Sequence, residues 1–182
     1  MRLDSQLSFI PLGAPVSLVQ GTGVSIPSTN IIDLLGQGVG TAPQNIIGNA
    51  TVFGADVGIG TWRPELEVAI GTAATTGTSA TLNVQYQAAV DPGVGGNYTP
   101  TTWITLNETG AIAVANLTAN AVIARFPFLP ALPPNLRPRF LRLNFQVAAS
   151  TSFTAGTIAF ALVTLIRDDL QQKYQPKNFV VA

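Results

Sequence analysis

The sequence contains no cysteine and no histidine, and only 10% of its residues are charged. Without cysteine there is no disulfide framework, no thiolate nucleophile and no thiolate metal ligand. Without histidine there is no imidazole ligand and no imidazole base for a hydrolytic triad. The lack of cysteine leaves the redox compartment open, since no thiol chemistry has to be accommodated. The charged fraction is far below the roughly 25% usual for soluble domains, so much of the surface is expected to be covered by contacts. Long apolar runs are also missing. The longest, residues 155–166, holds about a dozen residues against the roughly 20 of a spanning helix, and no membrane segment is expected. The first residues carry an early acid, Asp4, and no apolar run follows, so no secretory signal is read.

What is present is alternation. In residues 80–88, Leu82, Val84, Tyr86 and Ala88 fall on one side and Asn83, Gln85 and Gln87 on the other, as in a half-buried strand. Residues 139–147 repeat the pattern, with Leu141, Leu143, Phe145 and Val147 inward and Arg142, Asn144 and Gln146 outward. Residues 157–166 are apolar on both sides, with Ile158, Phe160, Leu162 and Ile166 on one and Ala159, Ala161, Val163 and Leu165 on the other. That strand is expected to lie centrally, and Leu143, Phe145, Phe160 and Leu162 are expected in the core. Weaker strands are expected around 16–19, 30–35, 66–70, 103–106, 112–116 and 121–126. Asp91-Pro-Gly-Val-Gly-Gly-Asn97 reads as a hairpin turn. No capped helix-period stretch of ten residues occurs. Glycine-rich 36–60 and proline-rich 126–138 are expected to be long ordered loops. At 182 residues the chain fits one domain. The fold class expected is all-β, a jelly-roll-like antiparallel β-sandwich.

Several local patterns invite chemistry, and each has a plainer meaning. Glu65 and Glu67 lie two apart on an expected strand, about 7 Å from each other by strand rise. That spacing does not exclude a glycosidic carboxylate pair. Their alternation with Leu66, Val68 and Ile70 makes them the polar side of that strand. Gly36-Gln-Gly38-Val-Gly40 lacks a following helix to hold an anion. Asp168-Asp169 lacks the spaced oxygen ligands of a calcium loop. The sequons at Asn49, Asn97, Asn107 and Asn116 follow from an Asn- and Thr-rich composition and are given no role. No catalytic, cofactor-binding or metal-binding residue is assigned, and the chain is read as a structural protein, not an enzyme.

Charge is unevenly placed. Residues 1–108 hold seven acids and two arginines, whereas 109–166 hold only Arg125, Arg137, Arg139 and Arg142. No lysine run or interleaved stacking aromatics accompany them, so nucleic acid is not expected as a partner. Contact with an acidic protein surface fits better than nucleic acid, and pairing within the fold is an equal alternative. The last stretch runs through Asp168, Gln171, Lys173 and Pro176 to Phe179-Val180-Val181. An apolar end on a polar stalk suggests an arm that packs on a neighbour.

Met1-Arg-Leu-Asp-Ser-Gln-Leu-Ser-Phe9, Ser28-Thr-Asn-Ile-Ile-Asp-Leu34 and Arg139-Phe-Leu-Arg-Leu-Asn-Phe145 together resemble the capsid cement, or head decoration, proteins of tailed bacteriophages. The likeness covers the first 35 residues and the last third of the chain. It implies a jelly-roll-like sandwich with clinging N- and C-terminal arms, here 1–15 and 167–182 around a sandwich of 16–166. It also implies a place on the outer surface of a phage head, after synthesis in the host cytoplasm. The partners it implies are the major capsid protein, bridged between subunits, and the chain itself as a dimeric or trimeric homo-oligomer. Arg125, Arg137, Arg139, Arg142, Phe179, Val180 and Val181 are the candidate capsid or subunit contacts. The competing reading is a carbohydrate-binding jelly-roll module on a virion or cell surface. It needs aromatic platforms, and only Trp62, Trp103 and three tyrosines are at hand.

Overall fold

A computed structural model describes residues 3–33, 64–90, 100–128 and 138–165. Among the described residues thirteen strands follow one another: β1 (Leu3–Ile10), β2 (Val16–Ser17), β3 (Ser25–Pro27), β4 (Ile32–Asp33), β5 (Pro64–Ile70), β6 (Thr75–Thr76), β7 (Thr81–Val90), β8 (Ile104–Glu108), β9 (Ile112–Ala113), β10 (Val122–Pro127), β11 (Pro138–Val147), β12 (Phe153–Ala155) and β13 (Thr157–Leu165). The single helical element among the described residues is a 3₁₀ turn, Val114–Asn116. Every pairing is antiparallel.

Two sheets form the sandwich. The first runs β1-β13-β5-β10, with β2 beside β13. The second runs β3-β11-β7-β8, with β4 also on β11 and β9 on β7. The wiring is that of a long hairpin rolled on itself. The outermost strands pair as β1 with β13, the next as β3 and β4 with β11, then β5 with β10, and the innermost as β7 with β8. Rolling brings β13 against β5 and β11 against β7, which closes each sheet. This is a jelly roll, the arrangement expected from the alternating segments. The short β6–β12 ribbon joins Thr75 and Thr76 to Ala155 and Phe153.

The core follows from period two. Leu82, Val84, Tyr86 and Ala88 of β7 and Leu141, Leu143, Phe145 and Val147 of β11 all face inward, against Leu66, Val68 and Ile70 of β5. Tyr86 ties the sheets together. Its ring lies edge-on to Phe9 at 6.0 Å and stacks on Phe126 at 6.3 Å, while its hydroxyl donates to the Phe128 carbonyl at 2.6 Å. Burial pushes the Tyr86 phenol well above the ordinary tyrosine range. Gly156 has φ +132°, and a Cβ there would stand 3.0 Å from the Ala74 backbone, so glycine lets the chain turn closely into β13.

The structure departs from the sequence expectations in three places. β13 is central, between β1 and β5, but a register shift between Ile158 and Phe160 resets its faces. A one-residue bulge sends every later side chain to the opposite side. Ile158, Ala161 and Val163 therefore fill the central cluster, Phe160 leaves it and is half-buried, and Leu162 is buried as expected but on the side of Ser8, outside that cluster. Proline does not exclude pairing at both ends of 126–138: Pro127 pairs with Glu65 and Pro138 with Val90, each at a strand end where a missing N–H is tolerated. Within 1–15, expected as an arm, residues 3–10 are laid along β13 as a strand of the first sheet, and Phe9 and Ile10 are buried in the core. Residues 36–60, the 91–97 turn and the C-terminal arm 167–182 lie outside the described residues, although β7 and β8 on either side of the turn do pair as a hairpin.

Candidate interaction faces

The arginines do not form one patch. Arg125 projects from β10 on the outer side of the first sheet, where its guanidinium lies 3.2 Å from Glu67 directly across the strand pair. Arg142 projects from β11 on the outer side of the second sheet. Arg139 is the extra residue of a bulge between Pro138 and Phe140, with its guanidinium 4.7 Å from the Phe140 ring centre. Arg137, Phe179, Val180 and Val181 lie outside the described residues.

The second sheet's outer face is an amide network. Arg142 Nε donates to Gln87 Oε1 at 2.8 Å, and the guanidinium lies 4.1 Å above the Trp103 ring centre. Gln87 Nε2 donates in turn to Gln85 Oε1 at 3.2 Å and Thr105 Oγ1 at 3.4 Å. Asn144 Nδ2 reaches the same Gln85 oxygen at 2.8 Å, and Ser25 Oγ donates to Asn144 Oδ1 at 2.6 Å. At the far side Asn83 Nδ2 donates to Glu108 Oε2 at 2.8 Å. Gln87 and Asn144 are only 7% and 3% exposed. Each side chain is thus held by its neighbour.

Among the described residues Arg142 faces no carboxylate and Glu108 no cation. Partial burial lowers the Arg142 pKa, as expected where desolvation is not offset by an opposite charge. The guanidinium nevertheless stays protonated at neutral pH.

The first sheet's outer face is different. Leu162 and Ser8 stand opposite each other across β13 and β1, and each is 3% exposed. Ser8 Oγ has no hydrogen-bond partner there. Glu67 is closed by Arg125, and Glu65 and Glu67 are the polar side of β5 as expected, with Leu66, Val68 and Ile70 fully buried beneath. A shallow concavity of about 270 Å³ runs along β10, lined by Val122, Ile123, Ala124 and Arg125. Among the described residues no three acidic, histidine or cysteine side chains gather as a metal cluster would require.

Sequence reasoning misses Glu108 on the amide face and the contact that Trp103 makes there. Glu108 carried no signal beyond its place at a strand end. Trp103 was visible as a ring, but its pairing with Arg142 depends on the β7–β8 and β7–β11 registers.

Residues 3–10, 28–33 and 139–145 meet in space. Asn30 Nδ2 donates to the Ser8 carbonyl at 2.9 Å, the Leu143 amide donates to Ser28 Oγ at 3.1 Å, and Ile32 pairs with Leu141. Among known proteins, no family model matches the chain and no curated protein is significantly similar to it.

Proposed function

We propose that this chain is a capsid cement protein that binds the outer surface of a tailed-phage head and stabilises it by bridging major capsid subunits as a homo-oligomer. The observation that carries this reading is the junction of residues 1–9, 28–34 and 139–145. Segments more than a hundred residues apart resemble one family and bond to one another through Ser8, Ser28, Asn30, Ile32, Leu141 and Leu143. They make a single framework. A bridging protein also needs two unlike contact surfaces, and the jelly roll offers a closed first face and an amide-lined second one.

The test is addition of the purified protein to undecorated heads, followed by imaging and by heating of the particles. Ordered density on the capsid exterior and a raised disruption temperature are expected. Density confined to the tail, or no binding at any salt concentration, overturns the reading.

Carbohydrate binding is the second reading, favoured by Trp103, which Arg142 connects to the amide network of Gln87, Gln85 and Asn144. Arg142 covers one face of that ring, so a sugar would have only the other face to stack on. Glycan binding abolished by Trp103→Ala, with no affinity for heads, would favour it.

A further inference from the structure

Among the described residues, the amide face holds a cation, Arg142, and an anion, Glu108, that form no ion pair. Arg142 stands opposite Gln87 on one side of β7, and Glu108 stands opposite Gln85 on the other. They are two strands apart and offset by two residues, which places their Cα atoms about 12 Å from each other by sheet spacing and strand rise. No Arg142–Glu108 ion pair forms within the chain. Both are nevertheless fixed by the same network, Arg142 through Gln87 and Trp103, Glu108 through Asn83.

We propose that this face binds a second copy of the chain, with Arg142 of each copy paired to Glu108 of the other. A two-fold axis lying between the faces and crossing β7 between Gln85 and Gln87 exchanges the two positions, so one contact generates its mate. The charges on the face are self-complementary under that operation and are not self-complementary under simple translation. A guanidinium already held by a ring and an amide loses little freedom on binding, and its two terminal nitrogens present the fork that fits a carboxylate. Of the amides on this face Asn83 and Gln85 are half-buried and can meet the partner, while Gln87 and Asn144 lie buried and serve only to hold their neighbours. The inference rests on the oligomeric part of the proposed function and names the surface that part requires.

The experiment uses the full chain without heads, so failure here leaves the head-binding test standing. Arg142→Glu makes the face wholly acidic, and Glu108→Arg makes it wholly basic. Each variant alone should self-associate about tenfold or more weakly than the parent in sedimentation, because like charges then meet at two symmetric places. An equimolar mixture of the two should recover association, since every contact is again between opposite charges. Self-association of the parent should weaken as salt rises. If a charge-reversal variant does not fold, Arg142→Gln and Glu108→Gln carry the test through the loss of that salt dependence. A parent that stays monomeric up to its solubility limit overturns the proposal. So do variants that dimerise as well as the parent, and so does a mixture that fails to recover.

Discussion

The two outer faces of the sandwich are built on the same alternating strands, yet they treat polar groups in opposite ways. On the first sheet the cross-strand pair Arg125–Glu67 closes its own charges, while Leu162 and Ser8 are buried and the Ser8 hydroxyl is unbonded. On the second sheet amides bond to amides in an unbroken series from Ser25 to Arg142, and the charges at the margins are left open. The Arg125–Glu67 pair, closed on itself, has little left to offer a partner electrostatically, which leaves Glu65 as the one carboxylate of that face without an ion pair among the described residues. A face that organises its charges without neutralising them retains that capacity, at some expense to its own stability.

The largest effect should come from the reference layer between the faces. Phe145→Ala removes a fully buried ring and should destabilise the fold by about 3–5 kcal/mol in denaturant unfolding. Phe160→Ala, on the outer side of the β13 bulge and only partly buried, should lose clearly less, below about 2 kcal/mol. Equal losses would return Phe160 to the core and remove the bulge from the description of the first face.

That bulge marks the limit of what could be read in the sequence. β7 and β11 announced their faces because polar residues alternate strictly with apolar ones: Asn83, Gln85 and Gln87 between Leu82, Val84 and Tyr86 leave one possible orientation. β13 is apolar on both sides, so a one-residue slip between Ile158 and Phe160 changes nothing in its composition. β1 was read as an arm although Leu7-Ser8-Phe9 already alternates. Its ladder partner lies about 150 residues away, and its pairing depends on global closure. The amide face was legible as a list of outward residues, but its bonding was not. Arg142 meets Gln87 and Arg125 meets Glu67 only after register is set.

Tyr86 tests the layer that joins the faces. Its phenol is held neutral in the folded state, whereas the unfolded chain ionises near pH 10. Above that pH the unfolded state binds fewer protons than the native one, so stability should fall by about 1.4 kcal/mol per pH unit from this group. Below pH 10 the contribution is intact. Tyr86→Phe should flatten the alkaline slope while lowering stability at neutral pH by about 1–3 kcal/mol, because the buried Phe128 carbonyl loses its donor. An unchanged alkaline slope would mean that the hydroxyl is reached by water.

A paired substitution compares the faces directly. Asn144→Ala strands Ser25 and removes a donor from Gln85, so it should lower stability by about 1–3 kcal/mol. Ser8→Ala removes a buried hydroxyl that has no partner and should be neutral or stabilising by up to about 1 kcal/mol. Thermal unfolding of the two variants in one buffer gives the comparison its sign. A loss in Ser8→Ala as large as in Asn144→Ala would erase the distinction between a bonded and an unbonded face.

The smallest effect is the most specific to the first face. Arg125 is 60% exposed and its partner Glu67 16%, so their attraction is screened on one side and partly sheltered on the other. Exposed pairs contribute up to about 1 kcal/mol, and this one sits directly opposite across β5 and β10, where cross-strand charges interact best. Arg125→Ala should therefore lower stability by at most about 1 kcal/mol at low salt, with the difference from the parent shrinking as salt approaches physiological strength. Arg125→Ala/Glu67→Gln should lose no more than the single variant, since the charge left behind has been removed as well. The same variants should leave self-association unaffected, because their charges are spent within the chain. If Arg125→Ala instead weakened association as strongly as Arg142→Glu, the pair on the first sheet would be open to partners, and the contrast between the faces would fail.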